Sequence, residues 1–156
     1  MADLQGDLAA AARARDPRIL PKHWVMMAAS GVIIENGKLL LVRDLQGFWA
    51  GVGGWIDAAE TPEEAIVREV REELGVGAEV VRHLRPFIAW HVAQLHDPVS
   101  FLLFPHQVKL TSQEFILDPA EVMDIAWAEP GKLDEYQMLP YVKGLYDERL
   151  TEWLAD

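Results

Sequence analysis

The sequence contains no cysteine among its 156 residues. Disulfide scaffolds, thiolate catalysis and metal sites with cysteine ligands are therefore excluded. Basic residues are also scarce: 14 Lys and Arg stand against 25 Asp and Glu, which gives a formal net charge of −11. Proteins bind nucleic-acid polymers and anionic membranes largely through Lys and Arg. We therefore expect neither partner, although a small anion could still bind together with a metal cation.

Long apolar runs are missing as well, because charged residues interrupt them. A membrane-spanning helix needs about 20 predominantly apolar residues, so we expect none. The first residues carry Asp3 and Asp7 and lack a basic segment followed by an apolar stretch, which argues against a secretory signal. Together with the absence of cysteine, this favours a cytoplasmic protein.

What is present is typical of a globular domain, with 51% hydrophobic and 25% charged residues. A chain of this length predicts one domain. We assign residues 25–156 to that domain and residues 1–24 to a helical N-terminal extension, since residues 3–15 are rich in alanine and Pro17 and Pro21 follow. The extension could pack on the domain or serve as an arm in a homodimer.

The domain alternates between strand and helix patterns. Asn36-Gly37 separates two apolar runs and predicts a hairpin, because both residues tolerate positive φ. Strands with interspersed helices predict an α/β or α+β layered domain. The predicted strands cover residues 25–34, 39–42, 78–92, 99–110 and 125–128, and the predicted helices cover residues 62–74 and 137–154.

The helix predicted over 62–74 has a clear signal at each end. Thr61 is a good N-cap, Pro62 suits the first helical position, and Glu64 completes a capping box. Gly75 can end the helix in the left-handed conformation. The boundaries of this helix therefore follow from local chemistry alone.

Three glutamates of this helix share one face, because Glu69, Glu72 and Glu73 follow the i, i+3, i+4 spacing. They adjoin the apolar stripe of Ile66, Val67, Val70 and Leu74. Clustered glutamates commonly form a solvated acidic surface. They also suit a hard cation such as Mg²⁺ or Mn²⁺, which prefers oxygen ligands. Their position beside the buried stripe, after a Gly-Gly loop, favours the metal site.

The segment from Gly54 to Val76 is similar to the complete Nudix box. Its seven fixed positions are Gly54, Glu60, Arg68, Glu69, Glu72, Glu73 and Gly75. A chance match is on the order of 1 in 10⁸ per window at average residue usage. The resemblance extends over most of the chain after residue 25. It implies an α/β/α sandwich with a mixed central sheet, in which the box forms a loop, a helix and a second loop.

The resemblance also implies an activity, the Mg²⁺- or Mn²⁺-dependent hydrolysis of a nucleoside diphosphate linked to another moiety. The substrate would be a small molecule such as a nucleoside triphosphate or a nucleotide sugar. Carried over by position, the implied metal ligands are Glu69, Glu72, Glu73 and the carbonyl of Gly53. A glutamate of this set would activate or orient water, Glu60 would hydrogen-bond within the site, and Arg68 would orient the neighbouring carboxylates.

Many members of the family use one further glutamate from outside the box as base or ligand, often just before a tryptophan on a late strand. Glu121 stands six residues before Trp127 and is our candidate. Glu114, Asp118 and Asp124 are its competitors. The ordinary interpretation of each is a solvated loop carboxylate.

The substrate is less well defined by the sequence. Trp55 and Trp90 could stack on a base, and Arg43 could meet phosphate charge. The five histidines show no short metal-type spacing, so no zinc site is predicted.

Two other functions use the same fold. A non-catalytic nucleotide-binding regulator would usually have lost box glutamates, which are all present here. An isoprenoid-type diphosphate isomerase uses a cysteine, which this chain lacks.

Overall fold

A computed structural model describes residues 25–89 and 100–155. Within these ranges the strands are β1 (Val25–Val32), β2 (Ile34–Glu35), β3 (Lys38–Asp44), β4 (Trp49–Ala50), β5 (Gly53–Trp55), β6 (Ala78–His83), β7 (Phe87–Ala89), β8 (Ser100–Leu110) and β9 (Val122–Ala128). The helices are α1 (Pro62–Leu74), a 3₁₀ helix (Pro130–Glu135) and α2 (Pro140–Leu154). The predicted N-terminal extension and Trp90 lie outside the described residues.

The strands form two sheets. One sheet is mixed, with the order β5-β1-β8-β6 and with β7 also paired to β8. In it, β1 runs parallel to β8 from the pair Val25 and Ser100 to the pair Val32 and Gln107. In the other sheet, β3 pairs antiparallel with β2, β4 and β9. The parallel pair requires a long crossover connection, and α1 lies within that connection.

The β3 strand divides the apolar interior into two cores. Leu40 and Val42 pack in the core that contains the apolar face of α1. Leu39 and Leu41 pack in the core that contains the apolar face of α2. Successive side chains of a strand point to opposite faces, so a run of four buried aliphatic residues is covered on both sides. The predicted α/β/α sandwich is thereby confirmed.

Two local predictions are confirmed. The hairpin turns at Asn36 and Gly37, with φ values of 51° and 73°, and Glu35 pairs with Lys38. Helix α1 has the predicted bounds. The hydroxyl of Thr61 accepts a hydrogen bond from the Glu64 N–H at 3.2 Å, and the Glu64 carboxylate accepts one from the Thr61 N–H at 2.8 Å.

Other boundaries differ from the prediction. The strand predicted over 78–92 ends at His83 and resumes as β7, with Pro86 in the interruption, because proline cannot donate to a strand ladder. The predicted first strand also breaks after Val32. The strand predicted over 125–128 begins already at Val122, and the helix predicted from residue 137 begins at Pro140. Among the described residues, no helix is both long and apolar enough to cross a membrane.

Candidate active site

The carboxylates of α1 divide into a buried pair and an exposed residue. Glu69 and Glu73 are only 7% and 6% exposed, whereas Glu72 lies at the surface. Each carboxylate of the buried pair offers an oxygen to a group completed by Glu121, and the three oxygens lie within 4.8 Å of one another. The structure therefore brings together three of the predicted site residues, one of them from outside the box.

Glu121 reaches this group because its loop docks on the C-terminal end of α1. The Ile116 N–H donates to the Leu74 carbonyl at 2.9 Å, and the Asp118 N–H donates to the Glu73 carbonyl at 3.2 Å. Carbonyls in the last turn of a helix lack partners within the helix. The loop supplies those partners and so holds the start of β9 beside the buried glutamates.

Strand β5, which begins with Gly53 and Gly54 where the sequence indicated a loop, closes the other side of the group. The Gly53 N–H donates to Oε1 of Glu73 at 3.2 Å. A Cβ built on Gly54 would lie less than 3.0 Å from all three atoms of the Glu69 carboxylate group. A side chain at position 54 would therefore displace the Glu69 carboxylate. The role of the Gly53 carbonyl as a metal ligand stays a prediction.

Arg68 contacts three carboxylates, those of Glu60, Glu69 and Glu72. Its Nε donates to Oε1 of Glu60 at 2.8 Å, and its Nη1 donates to Glu69 at 2.7 Å and to Glu72 at 2.9 Å. Its Nη2 donates to the carbonyl of Trp55 and to Oε2 of Glu60, both at 2.9 Å. The guanidinium thus ties the loop before α1 to the acidic face of the helix. These contacts raise the pKa of Arg68 above its ordinary value, so it remains a cation.

Burial disfavours the ionised form of both Glu69 and Glu73. Burial raises the pKa of Glu73 to about 8, although the hydrogen bond from Gly53 opposes that rise. Burial also raises the pKa of Glu69, partly offset by Arg68. The neighbouring carboxylate of Glu121 adds to both shifts. A cation held among these oxygens would remove the repulsion, and a donor set made only of oxygen fits Mg²⁺ or Mn²⁺.

Glu72 lies outside the three-oxygen group and contacts Arg68 instead. Its assignment as a metal ligand stays a prediction.

The acidic residues that compete with Glu121 make local contacts. Asp118 accepts from the Ala120 N–H at 2.9 Å, and Asp124 accepts from the Ile125 N–H at 2.8 Å. Glu114 lies exposed on the loop, where its N–H donates to the Ser112 hydroxyl.

An apolar recess of about 200 Å³ adjoins β5, and Gly53 and Gly54 line it. Three of the aromatic rings that line it are in contact: Trp55 and Phe101 have centroids 4.9 Å apart, and Phe101 and Tyr141 have centroids 5.8 Å apart. Trp55 remains 45% exposed. The sequence indicated Trp55 but carried no signal for Phe101 or Tyr141, which reach the recess only through the pairing of β8 with β1 and the packing of α2.

Arg43 lies on β3 and has local contacts. Its Nε donates to the Gly47 carbonyl at 3.3 Å, and its guanidinium lies 5.9 Å from the centre of the Trp49 ring. It is absent from the lining of the recess described above. Its predicted contact with phosphate stays a prediction.

Comparison with known proteins shows which sequences and folds this chain is similar to. The sequence model of the NUDIX domain matches residues 25–154. The CTP pyrophosphohydrolase of Escherichia coli (strain K12) is 36% identical over 116 residues, 71% of this chain and 81% of that protein. The isopentenyl-diphosphate Delta-isomerase of Agromyces mediolanus is 28% identical over 148 residues, 80% of this chain and 72% of that protein. The crystal structure of a UDP-X diphosphatase has a TM-score of 0.66 at 25% identity, covering 97% of this chain and 70% of that one.

Proposed function

The chain belongs to the Nudix hydrolase family, and we propose that it hydrolyses the pyrophosphate bond of a nucleoside diphosphate linked to another moiety, with Mg²⁺ or Mn²⁺. The observation that carries this proposal is the convergence of oxygens from Glu69, Glu73 and Glu121 within 4.8 Å. Two of these carboxylates are buried. A solvated acidic surface would not bury them together.

Each side chain then has a task. Glu69 and Glu73 hold the metal, together with Glu72 and the Gly53 carbonyl. When bound, the ion neutralises the diphosphate oxygens and lowers the pKa of water. Glu121 orients the attacking water or accepts its proton. Arg68 holds Glu69 in place, and it is itself held by Glu60.

For the substrate, we propose a nucleotide whose base enters the apolar recess against Trp55. The names of the relatives, CTP pyrophosphohydrolase and UDP-X diphosphatase, support a nucleoside triphosphate or a nucleotide sugar. The recess lies next to Gly53 and Gly54, so a base in it would place the attached phosphates near the buried carboxylates. Aromatic rings suit a nucleobase because every base offers a face for stacking.

The similarity to an isopentenyl-diphosphate isomerase favours a second candidate, the isomerisation of a prenyl diphosphate. The chain has no cysteine, the residue that we associate with that chemistry. We therefore propose hydrolysis as the function and include the isomerase substrate in its test.

The test is product analysis with the full-length protein. A panel of nucleoside triphosphates, nucleotide sugars and isopentenyl diphosphate is incubated with Mg²⁺, with Mn²⁺ or with excess chelator. We expect release of a nucleoside monophosphate from at least one nucleotide, and only when metal is present. The Glu73→Gln variant is the matched control for contaminating phosphatases. Nucleotide binding without turnover would indicate a regulator, and a rearranged prenyl diphosphate would indicate an isomerase.

The proposal extends to the cellular context. The acidic composition and the absence of cysteine support a cytoplasmic location without a nucleic-acid or membrane partner. If residues 1–24 hold a homodimer together, their removal should lower the molar mass measured by light scattering from that of a dimer to that of a monomer.

A further inference from the structure

A second cluster of metal-type ligands lies at the opposite end of α1 from the glutamate group. It comprises Glu63 in the first turn of α1, His83 at the end of β6, and His106 on β8. One ligand atom from each residue lies within 4.8 Å of the other two. Along the helix axis, Glu63 precedes Glu69 by about 9 Å at a rise of 1.5 Å per residue, so the cluster is separate from the glutamate group.

Sheet pairing creates the cluster. His83 and His106 are direct partners in the antiparallel ladder of β6 and β8, and partners in a ladder present their side chains on the same face. Their ring centroids are 5.2 Å apart. Nε2 of His83 lies 3.3 Å from Oε1 of Glu63. The two histidines are 23 positions apart in the chain, so the sequence shows no short metal-type spacing between them and predicted no zinc site.

His106 provides an independent indication of a ligand. The residue is only 2% exposed, and its Nδ1 is buried without a well-aligned hydrogen bond within the described part of the chain, although the backbone of Ser30 and Phe104 lies close to the ring. Burying a polar atom without a partner is costly, so such atoms call for an explanation. Burial and the proximity of His83 lower the pKa of His106. A lowered pKa favours the neutral form of the ring, and a neutral imidazole offers a nitrogen lone pair to a metal.

We propose that Glu63, His83 and His106 bind a transition-metal ion of the Zn²⁺ class. Two imidazoles and one carboxylate are a common protein ligand set for zinc, and they differ from the oxygen ligands that Mg²⁺ prefers. Glu63 and His83 are substantially exposed, so their side chains can adjust around the ion. His106 is anchored in the sheet. The ion would clamp the first turn of α1 to β6 and β8 and leave a coordination position open to water.

The experiment measures Zn²⁺ binding to the full-length protein in a large excess of Mg²⁺, which competes for the oxygen site. Equilibrium dialysis with metal analysis gives the stoichiometry, and the visible absorption of Co²⁺ reports nitrogen ligation. We expect one tightly bound equivalent of Zn²⁺. The His83→Ala variant changes an exposed side chain, and we expect it to weaken that binding by at least about tenfold, as ligand-shell changes do. Glu63→Gln should act in the same direction.

Two controls make the result specific. Glu79→Gln removes an exposed carboxylate from the same strand, β6, and should bind Zn²⁺ like the wild type. Glu73→Gln should retain the zinc site, so failure of the proposed hydrolase function would not affect this test. Zn²⁺ should also raise the Tm of the wild type and of Glu79→Gln, but not of His83→Ala. Equal Zn²⁺ affinity in the wild type and His83→Ala, or no binding to either, would overturn the proposal.

Discussion

At the scale of single residues, the glutamates of the site are distinguished by their surroundings. Glu73 and Glu69 are buried and carry raised pKa values, whereas Glu72 is exposed and paired with Arg68. Burial of a carboxylate is unfavourable unless a partner is present. The buried pair therefore makes the fold less stable when ionised, and a cation would relieve that cost.

Glu73 makes a pH dependence predictable. Its pKa rises from 4.5 to about 8 in the folded chain, so between these pH values the folded state binds a proton that the unfolded state has lost. The free energy of unfolding in chelator should therefore fall as the pH rises from 5 to 8. Glu73→Gln should remove most of this fall and be more stable than wild type at pH 8 by a few kcal/mol, since one pKa unit corresponds to about 1.4 kcal/mol.

The same substitution should lower turnover in saturating Mg²⁺ by about 10²–10⁴, because it removes an anionic ligand. Urea unfolding in chelator across the pH range and turnover with Mg²⁺ are the two measurements. A variant that unfolds more easily than wild type at pH 8 while keeping normal turnover would show that the buried pair has a structural role only.

Glu121 should act differently from the other acidic residues of its loop. Only its carboxylate joins Glu69 and Glu73, so Glu121→Gln should reduce kcat by about 10²–10⁴. Glu114→Gln is the matched control, because Glu114 is exposed on the same loop, and it should change kcat by less than about twofold. Steady-state kinetics in saturating Mg²⁺ decide between them. Equal, small losses in both variants would remove Glu121 from the mechanism.

At the scale of secondary-structure elements, predictability follows the range of the interactions. Helix α1 has the bounds predicted from the sequence because Thr61, Glu64 and Gly75 cap it through contacts a few residues apart. The two-residue strand β4 and the three-residue strand β5 were not predicted, since such short elements exist only through partners on β3 and β1. The early start of β9 was missed because Asp124 disfavours strands by propensity, and pairing with β3 overrides that preference.

Added volume at Gly54, in strand β5, should disturb the site more than the fold. A Cβ at Gly54 would displace the Glu69 carboxylate, which Arg68 also holds. Since the colliding group is the end of a side chain, Gly54→Ala should cost at most about 1–3 kcal/mol of stability yet reduce turnover by at least about tenfold. Thermal unfolding in chelator and turnover in Mg²⁺ measure the two effects.

Gly144 provides the matched control for that substitution. It lies in α2, and a Cβ there would meet nothing within 4 Å. Gly144→Ala should raise the free energy of unfolding by about 0.5–1 kcal/mol, because alanine favours helix, and should leave turnover unchanged. Normal turnover in Gly54→Ala would mean that Glu69 can occupy another position without loss of function.

At the scale of the whole molecule, the net charge of −11 and the acidic residues of the site both favour a substrate that is already bound to a divalent cation. An acidic surface attracts divalent cations and repels free nucleotide anions, so the substrate is expected to arrive as a metal complex. The box residues were predictable because one helix carries most of them. The aromatic recess was not, since Trp55, Phe101 and Tyr141 are separated by 46 and 40 positions and meet only after the sheet has formed and α2 has packed.

Trp55 should affect binding more than chemistry. Its ring lines the recess and stacks near Phe101, whereas the buried carboxylates lie on α1. Stacking of a base on an aromatic ring is worth about 1–3 kcal/mol, so Trp55→Ala should raise KM by about 5- to 150-fold. The kcat should stay within about twofold, because the lost interaction is present equally in the ground state and the transition state.

The Trp55→Phe variant keeps an aromatic face at this position and should recover most of the affinity. The measurement is steady-state kinetics of both variants with the best nucleotide substrate in saturating Mg²⁺. A fall in kcat with unchanged KM would instead place Trp55 among the groups that position the diphosphate, and the base would have to bind elsewhere.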